Sequence, residues 1–196
     1  MPISAIVFGG RRAKAAPLVY QSKDWQHGVF VGSIMASETT AAATGAVGVV
    51  RNDPMAMKPF CGYHMADYFG HWLEMGKKLG DKAPKIFNVN WFRLDDEGNF
   101  MWPGFGDNMR VLNWILDRCE GKVDAVETPI GYVPNVADID IEGLDVSEET
   151  LTELLTVDKD VWSKEVENID KFYEQFGDKL PAEIVDELNG LKARLK

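Results

Sequence analysis

The chain has 196 residues, 45% of them hydrophobic and 27% charged, and a formal net charge of −10. That length and mixture suit one globular domain with a core of its own and exclude a disordered chain. No apolar run could span a bilayer, no basic segment leads into an apolar one as in a secretion signal, and the acidic balance argues against nucleic acid as a partner.

A cytoplasmic protein is therefore expected, with no membrane and no nucleic-acid partner. The charge is uneven. Residues 1–60 carry six Lys and Arg against three Asp and Glu, whereas residues 137–196 carry seven against seventeen. The mildly basic start could hold a small anion. Cys61 and Cys119 are too few for a disulfide framework and lack zinc spacing, so both read as buried free thiols.

The chain opens in a buried strand, Ile3 to Phe8, with only Met1 and Pro2 before it, so a C-terminal piece of a longer protein with an added Met is expected. Gly9-Gly10-Arg11-Arg12 follows. Glycines at a strand end let the backbone turn and approach a ligand, and arginines hold phosphate oxygens with paired donors. The pattern is neither a Rossmann fingerprint nor a P-loop, so a surface turn with solvated arginines competes with that reading.

Leu18 to Tyr20 is a second short strand, and His27 to Ala36 is either a buried helix or a strand. Thr39 to Val49 is rich in alanine and glycine. It fits a segment that orders at small cost, an ordinary loop, or a frayed helix end. Tyr63 to Leu79 reads as a helix with Tyr68, Trp72 and Met75 on one stripe and Gly80 as its stop.

Ile86 to Leu94 is a strand, Asp95 to Gly98 a hairpin turn and Asn99 to Trp102 the return. Met109 to Cys119 is a helix with Met109, Leu112, Leu116 and Cys119 along one face and Asp107 or Asn108 as its cap. Thr128 to Pro134 is extended. Helices from Ser147, from Lys159 to Phe176 and from Pro181 to Leu195 form an acidic tail, about 147–196.

Aromatic side chains crowd the turns between Asn90 and Asn108: Trp91, Phe92, Phe100, Trp102 and Phe105. Flat rings at strand ends suit a nucleotide base, which gains roughly 1–3 kcal/mol per stack. The competing reading puts Trp91 and Phe92 in a core, on opposite faces of a strand. Phe105, between Gly104 and Gly106, is presented from a loop. Asn108 could read a base edge with its amide or cap a helix. His27, His64 and His71 have no ligand spacing and take packing or capping roles, and no metal site is expected in this chain.

Taken together, PISAIVFGGRR, WQHGVFVGS, SETTAAA, DPMAMKPFCGYH, HWLEM, PKIFNVNWFR, EGNFMWPGFGDNMRVL and TPIGYVP make the chain resemble the GTP-dependent phosphoenolpyruvate carboxykinases, over essentially its whole length and about the last third of theirs. The resemblance implies that Phe92 and Phe105 sandwich guanine and that Trp91 and Phe100 line the pocket. Asn108, with the backbone of Phe105, Gly106 and Asp107, would read the base edge. Arg11 would contact the γ-phosphate, with a less defined role for Arg12, and Thr39 to Val49, including Ala42, Gly45 and Gly48, would form a closing lid.

The implied reaction is oxaloacetate + GTP to phosphoenolpyruvate + GDP + CO2, in gluconeogenesis or anaplerosis, with Mn2+ and Mg2+ held by ligands outside this chain. Partners would be the nucleotide and the upstream part of the same enzyme, in a monomer. The chain alone would lack turnover. Two departures concern Ala13 and Lys14, where many relatives have a proline, and TGAVGV in the lid, which replaces a more polar segment.

A stand-alone nucleotide-binding or regulatory module, a structural protein with an aromatic core, and an ATP-dependent carboxykinase are the competing classes. The expected fold is α/β or α+β: a mixed sheet flanked by helices, with the acidic helical segment at the end, all in one C-terminal domain, 1–196.

Overall fold

The computed structural model describes residues 2–39 and 48–196. In chain order its strands are β1 (Ala5–Gly9), β2 (Val19–Gln21), β3 (Ala36–Glu38), β4 (Val50–Asn52), β5 (Lys85–Val89), β6 (Val126–Thr128) and β7 (Gly131–Val133). Its α-helices are α1 (Trp25–Ser33), α2 (Met65–Leu79), α3 (Asn108–Glu120), α4 (Glu148–Leu155), α5 (Lys159–Glu174) and α6 (Ala182–Leu195). Five strands make one sheet in the order β1-β5-β2-β7-β6, while β3 and β4 pair separately. Among the described strands only β1 and β5 run parallel; the other pairs are antiparallel. The expected mixed α/β fold is what forms.

Alternation along β5 builds the layers. Ile86 points into a core shared with α1, α2, α5 and α6, and Phe87 points into a second core with α3 and α4. Helices therefore cover both faces of the sheet, and four of the five β5 residues are buried.

The segment open to either reading, His27 to Ala36, divides. Asp24 caps α1 by accepting from the His27 N–H at 2.8 Å, and β3 begins at Ala36. Every α1 residue from His27 to Ser33 is buried, so no amphipathic period marked it as a helix.

Several boundaries and faces differ from expectation. The strand expected over Ile86 to Leu94 stops at Val89, and the return strand Asn99 to Trp102 is reduced to one bridge between Leu94 and Phe100. The extended stretch Thr128 to Pro134 is half of the tight β6–β7 hairpin. On α3 the buried residues are Val111, Trp114 and Ile115, while Met109 and Leu116 are exposed, so the buried face is rotated from the apolar face read in the sequence. The stripe Tyr68, Trp72 and Met75 on α2 lines an open apolar groove of about 730 Å³ beside edge strand β1, and Ala66, Phe69 and Leu73 are the residues α2 buries. Cys61 and Cys119 are free but only half-buried.

The acidic tail is part of the domain. Trp162, Val166, Ile169 and Phe172 of α5 and Ile184, Leu188 and Leu191 of α6 join the core against α1. Tyr173 reaches Ser33 at 2.5 Å, and the Ser33 hydroxyl donates to the Phe30 carbonyl at 2.7 Å. Burial pushes the Tyr173 phenol above its ordinary range. His27, fully buried, is neutral: burial first, and the nearby charges of Arg194 and Lys23 second, lower its pKa from 6.5 to about 3. Its Nδ1 accepts from the Lys23 N–H, whereas His64 caps α2 by accepting from the Ala66 N–H; His71 is exposed in the groove.

Candidate functional site

The parallel pairing of β1 with β5 decides where the arginines meet the aromatic rings. Its register sets Gly9 opposite Val89, so the two strands end side by side. Their continuations, Gly10-Arg11 and Trp91-Phe92, line one cleft of about 230 Å³ together with Ser37. Residues eighty positions apart are thereby joined. The cleft lies at the carboxyl ends of two parallel strands, where α/β sheets place ligands. Its volume is below the roughly 300–1,000 Å³ of a complete small-molecule site, so it suits part of a ligand.

Gly10 has a steric reason to be glycine: a Cβ there would lie 2.6 Å from the Ala36 carbonyl oxygen. The close approach lets β3 grip the arginine loop. The Arg11 N–H donates to Ser37 Oγ at 3.0 Å, the Glu38 N–H to the Arg11 carbonyl at 2.8 Å, and the Ala13 N–H to Glu38 Oε1 at 2.9 Å. The two arginines then separate in role. Arg12 is half-buried and its Nη2 pairs with Glu165 of α5 at 2.6 Å, tying the loop to the tail. Arg11 stays at the cleft, its guanidinium 5.8 Å from the centroid of the Phe92 ring.

Asn90 is a residue the sequence reasoning passed over. It is fully buried, and its amide donates to the carbonyls of Arg12 (2.8 Å) and Ala16 (2.9 Å). Its Oδ1 accepts from the N–H groups of Arg12 and Phe92, each at 3.2 Å. One side chain thus holds the arginine loop and the aromatic turn together. Its place in the aromatic stretch was visible; the loop it would bind was not.

The alternation argued for Trp91 and Phe92 does not hold, because both follow the end of β5 in a turn. Trp91 packs partly on the second core, and Phe92 meets Phe100 edge-on, with centroids 6.0 Å apart. Phe100 is itself exposed. Phe105 is 99% exposed and does not line the cleft, so its ring rests on no described residue. Gly106 is open around its α-carbon, and Asp107 pairs with Arg110 at 3.1 Å.

Asp107 holds the N-cap position of α3 without a side-chain capping bond. Asn108 is the first helical residue and is not the cap; its Oδ1 accepts from Trp102 Nε1 at 2.9 Å. Of the expected lid, residues 40–47, with Ala42 and Gly45, lie outside the described residues. Its ends are stitched: Thr39 N–H donates to the Val49 carbonyl and Gly48 N–H to the Thr39 carbonyl, both at 3.0 Å. Among the described residues no group of three or more His, Cys, Asp or Glu is placed to hold a metal ion, and no helix is long and apolar enough to cross a membrane.

A sheet with helices on both faces and an arginine-and-aromatic cleft at its parallel strand ends belongs to the α/β ligand-binding domains. More narrowly, the chain is a member of the GTP-dependent phosphoenolpyruvate carboxykinase family: residues 1–194 match the model of the phosphoenolpyruvate carboxykinase C-terminal P-loop domain. It is 58% identical over 197 residues to the phosphoenolpyruvate carboxykinase [GTP] of Renibacterium salmoninarum. It is 54% identical over 198 residues to the proteins of the same name from Treponema pallidum and Neocallimastix frontalis. All of this chain is matched in each case, and it spans about a third, 32%, of each relative.

Proposed function

We propose that this chain is the guanine-nucleotide-binding part of a GTP-dependent phosphoenolpyruvate carboxykinase, an enzyme that converts oxaloacetate and GTP to phosphoenolpyruvate, GDP and CO2. The observation that supports this most directly is the convergence of Arg11, Trp91 and Phe92 on one cleft at the ends of β1 and β5. In this reading Phe92 and Phe105 stack on the two faces of guanine, Trp91 and Phe100 border them, and Asn108 with the backbone of Phe105, Gly106 and Asp107 meets the base edge. Phe105, bare in the free chain, gains its partner when the base binds.

Arg11 serves the phosphates. A base stacking on the face of Phe92 that Arg11 now covers displaces the guanidinium. The cation–π contact given up is worth about 0.5–1 kcal/mol at an exposed site, and charge-assisted bonds to phosphate oxygens replace it. In the reaction, the C–C bond to the departing carboxylate breaks, CO2 leaves, and its electron pair forms an enolate. The enolate oxygen attacks the γ-phosphorus and GDP departs. Arg11 neutralises charge on the moving phosphoryl group.

The enolate must be kept from protons or it ends as pyruvate, so the segment Thr39 to Val49 acts as a lid that excludes water. Its anchored ends adjoin the Arg11 loop. Divalent ions, Mn2+ and Mg2+, belong to the parts of the enzyme this chain does not span, and the protein works in the cytoplasm as a monomer.

The chain by itself then binds guanine nucleotides weakly and turns over nothing. Tryptophan fluorescence of the purified chain should respond to GDP more than to ATP, and no carboxykinase activity should be detected. Equal responses to both nucleotides would refute the base pocket, and measurable turnover would refute the assignment of catalysis to the missing parts.

A further inference from the structure

We propose that Trp102 is a positioning residue for base selection: its indole fixes the Asn108 amide with the NH2 outward, so the site takes purines with a carbonyl at position 6 over those with an amino group there. The inference rests on the reading above that Asn108 meets the base edge. An Asn side chain has a donor half and an acceptor half of nearly equal shape, and a free amide could flip to suit either kind of purine. Asn108 has no such freedom. Trp102 is 1% exposed, its Nε1 is a donor only, and that donor lies 2.9 Å from Asn108 Oδ1.

Turning the amide over would bring two donors together inside the core and leave a buried indole N–H unsatisfied. Nδ2 is therefore directed away from Trp102, and among the described residues it makes no hydrogen bond and is not a buried orphan. The turn before α3 holds the residue in place. The N–H groups of Asp107 and Asn108 both donate to the Gly104 carbonyl, at 2.9 and 3.1 Å, and Gly104 takes φ +90°, which a side chain would strain. The outward donor matches the O6 acceptor of guanine or hypoxanthine and opposes the N6 amino group of adenine.

The test measures GDP, IDP and ADP affinities by equilibrium dialysis in the full-length protein that carries this chain. Trp102→Phe keeps an aromatic ring of smaller size and removes the donor. It should weaken GDP and IDP alike and lower the GDP-to-ADP preference by about 3- to 10-fold, the worth of one hydrogen bond. Asn108→Asp keeps an oxygen for Trp102 and presents an acceptor outward, so it should abolish the preference even if the Trp102 variant folds poorly. The inference is overturned if Trp102→Phe leaves the GDP-to-ADP ratio intact while Asn108→Ala collapses it, or if Asn108→Asp still prefers GDP. If Asn108→Ala itself leaves the ratio unchanged, Asn108 does not read the base, and both readings fall at that residue.

Discussion

Two side chains show how differently neighbours in one short stretch contribute. Asn90 makes four hydrogen bonds from a fully buried position, so Asn90→Ala leaves carbonyls and N–H groups of the arginine loop without partners. The expected cost is about 2–3 kcal/mol, read as a lower denaturation midpoint at unchanged slope. Phe105 is the reverse case. Its ring is bare, so Phe105→Ala should change stability by no more than about 0.5 kcal/mol. GDP binding should instead weaken by about 1–3 kcal/mol, one stacking contact. A large stability loss with binding intact would return Phe105 to a structural role.

At the level of single elements, α1 carries an acid-sensitive group. His27 is neutral in its buried place, with a pKa of about 3 against 6.5 when unfolded. Its folded pKa is depressed, so the unfolded chain binds the extra proton between those values. The stabilising effect is complete above pH 6.5 and fades as pH falls from there toward 3. By pH 5 the loss should reach about 2 kcal/mol, and His27→Gln should flatten that part of the curve in chemical denaturation at pH 7 and pH 5. The β3–β4 hairpin has a different role: it brackets the expected lid and grips the Arg11 loop through Ser37 and Glu38, so a shift in one is felt by the other.

For the whole molecule, the acidic tail is structural. Its helices supply Val166, Ile169, Phe172, Ile184, Leu188 and Leu191 to the core over α1, and Glu165 pairs with half-buried Arg12. Truncation after Thr156 should leave a chain that does not unfold cooperatively, as judged by the loss of a sharp calorimetric transition. If the truncated chain keeps that transition, the tail is dispensable. The groove beside β1 works the other way. It is an apolar surface beside an edge strand, whose outer backbone groups no neighbouring strand pairs among the described residues.

Local pattern by itself carried the strand before the glycines, though that strand lies at the sheet edge with only Phe8 buried and not in the interior as expected. It also carried the starts of α2 to α6 to within a residue or two, and the family, because ordered strings such as GGRR, NWFR and WPGFG are specific in combination. It did not carry the early end of β5, the rotated face of α3 or the helical state of α1, since those follow from which surface each element meets. For the candidate site, Arg11 and the aromatic residues could be named from the chain, but their meeting could not. That depends on one parallel pairing between strands about eighty residues apart, and a register is decided by burial on both faces of a sheet. The separate roles of Arg11 and Arg12, the clamp at Asn90 and the fixed amide of Asn108 likewise arise only when the tertiary fold brings Glu165, Ala16 and Trp102 within bonding distance. Hydrogen bonds and ion pairs act over a few ångströms of space, and sequence separation does not measure that distance.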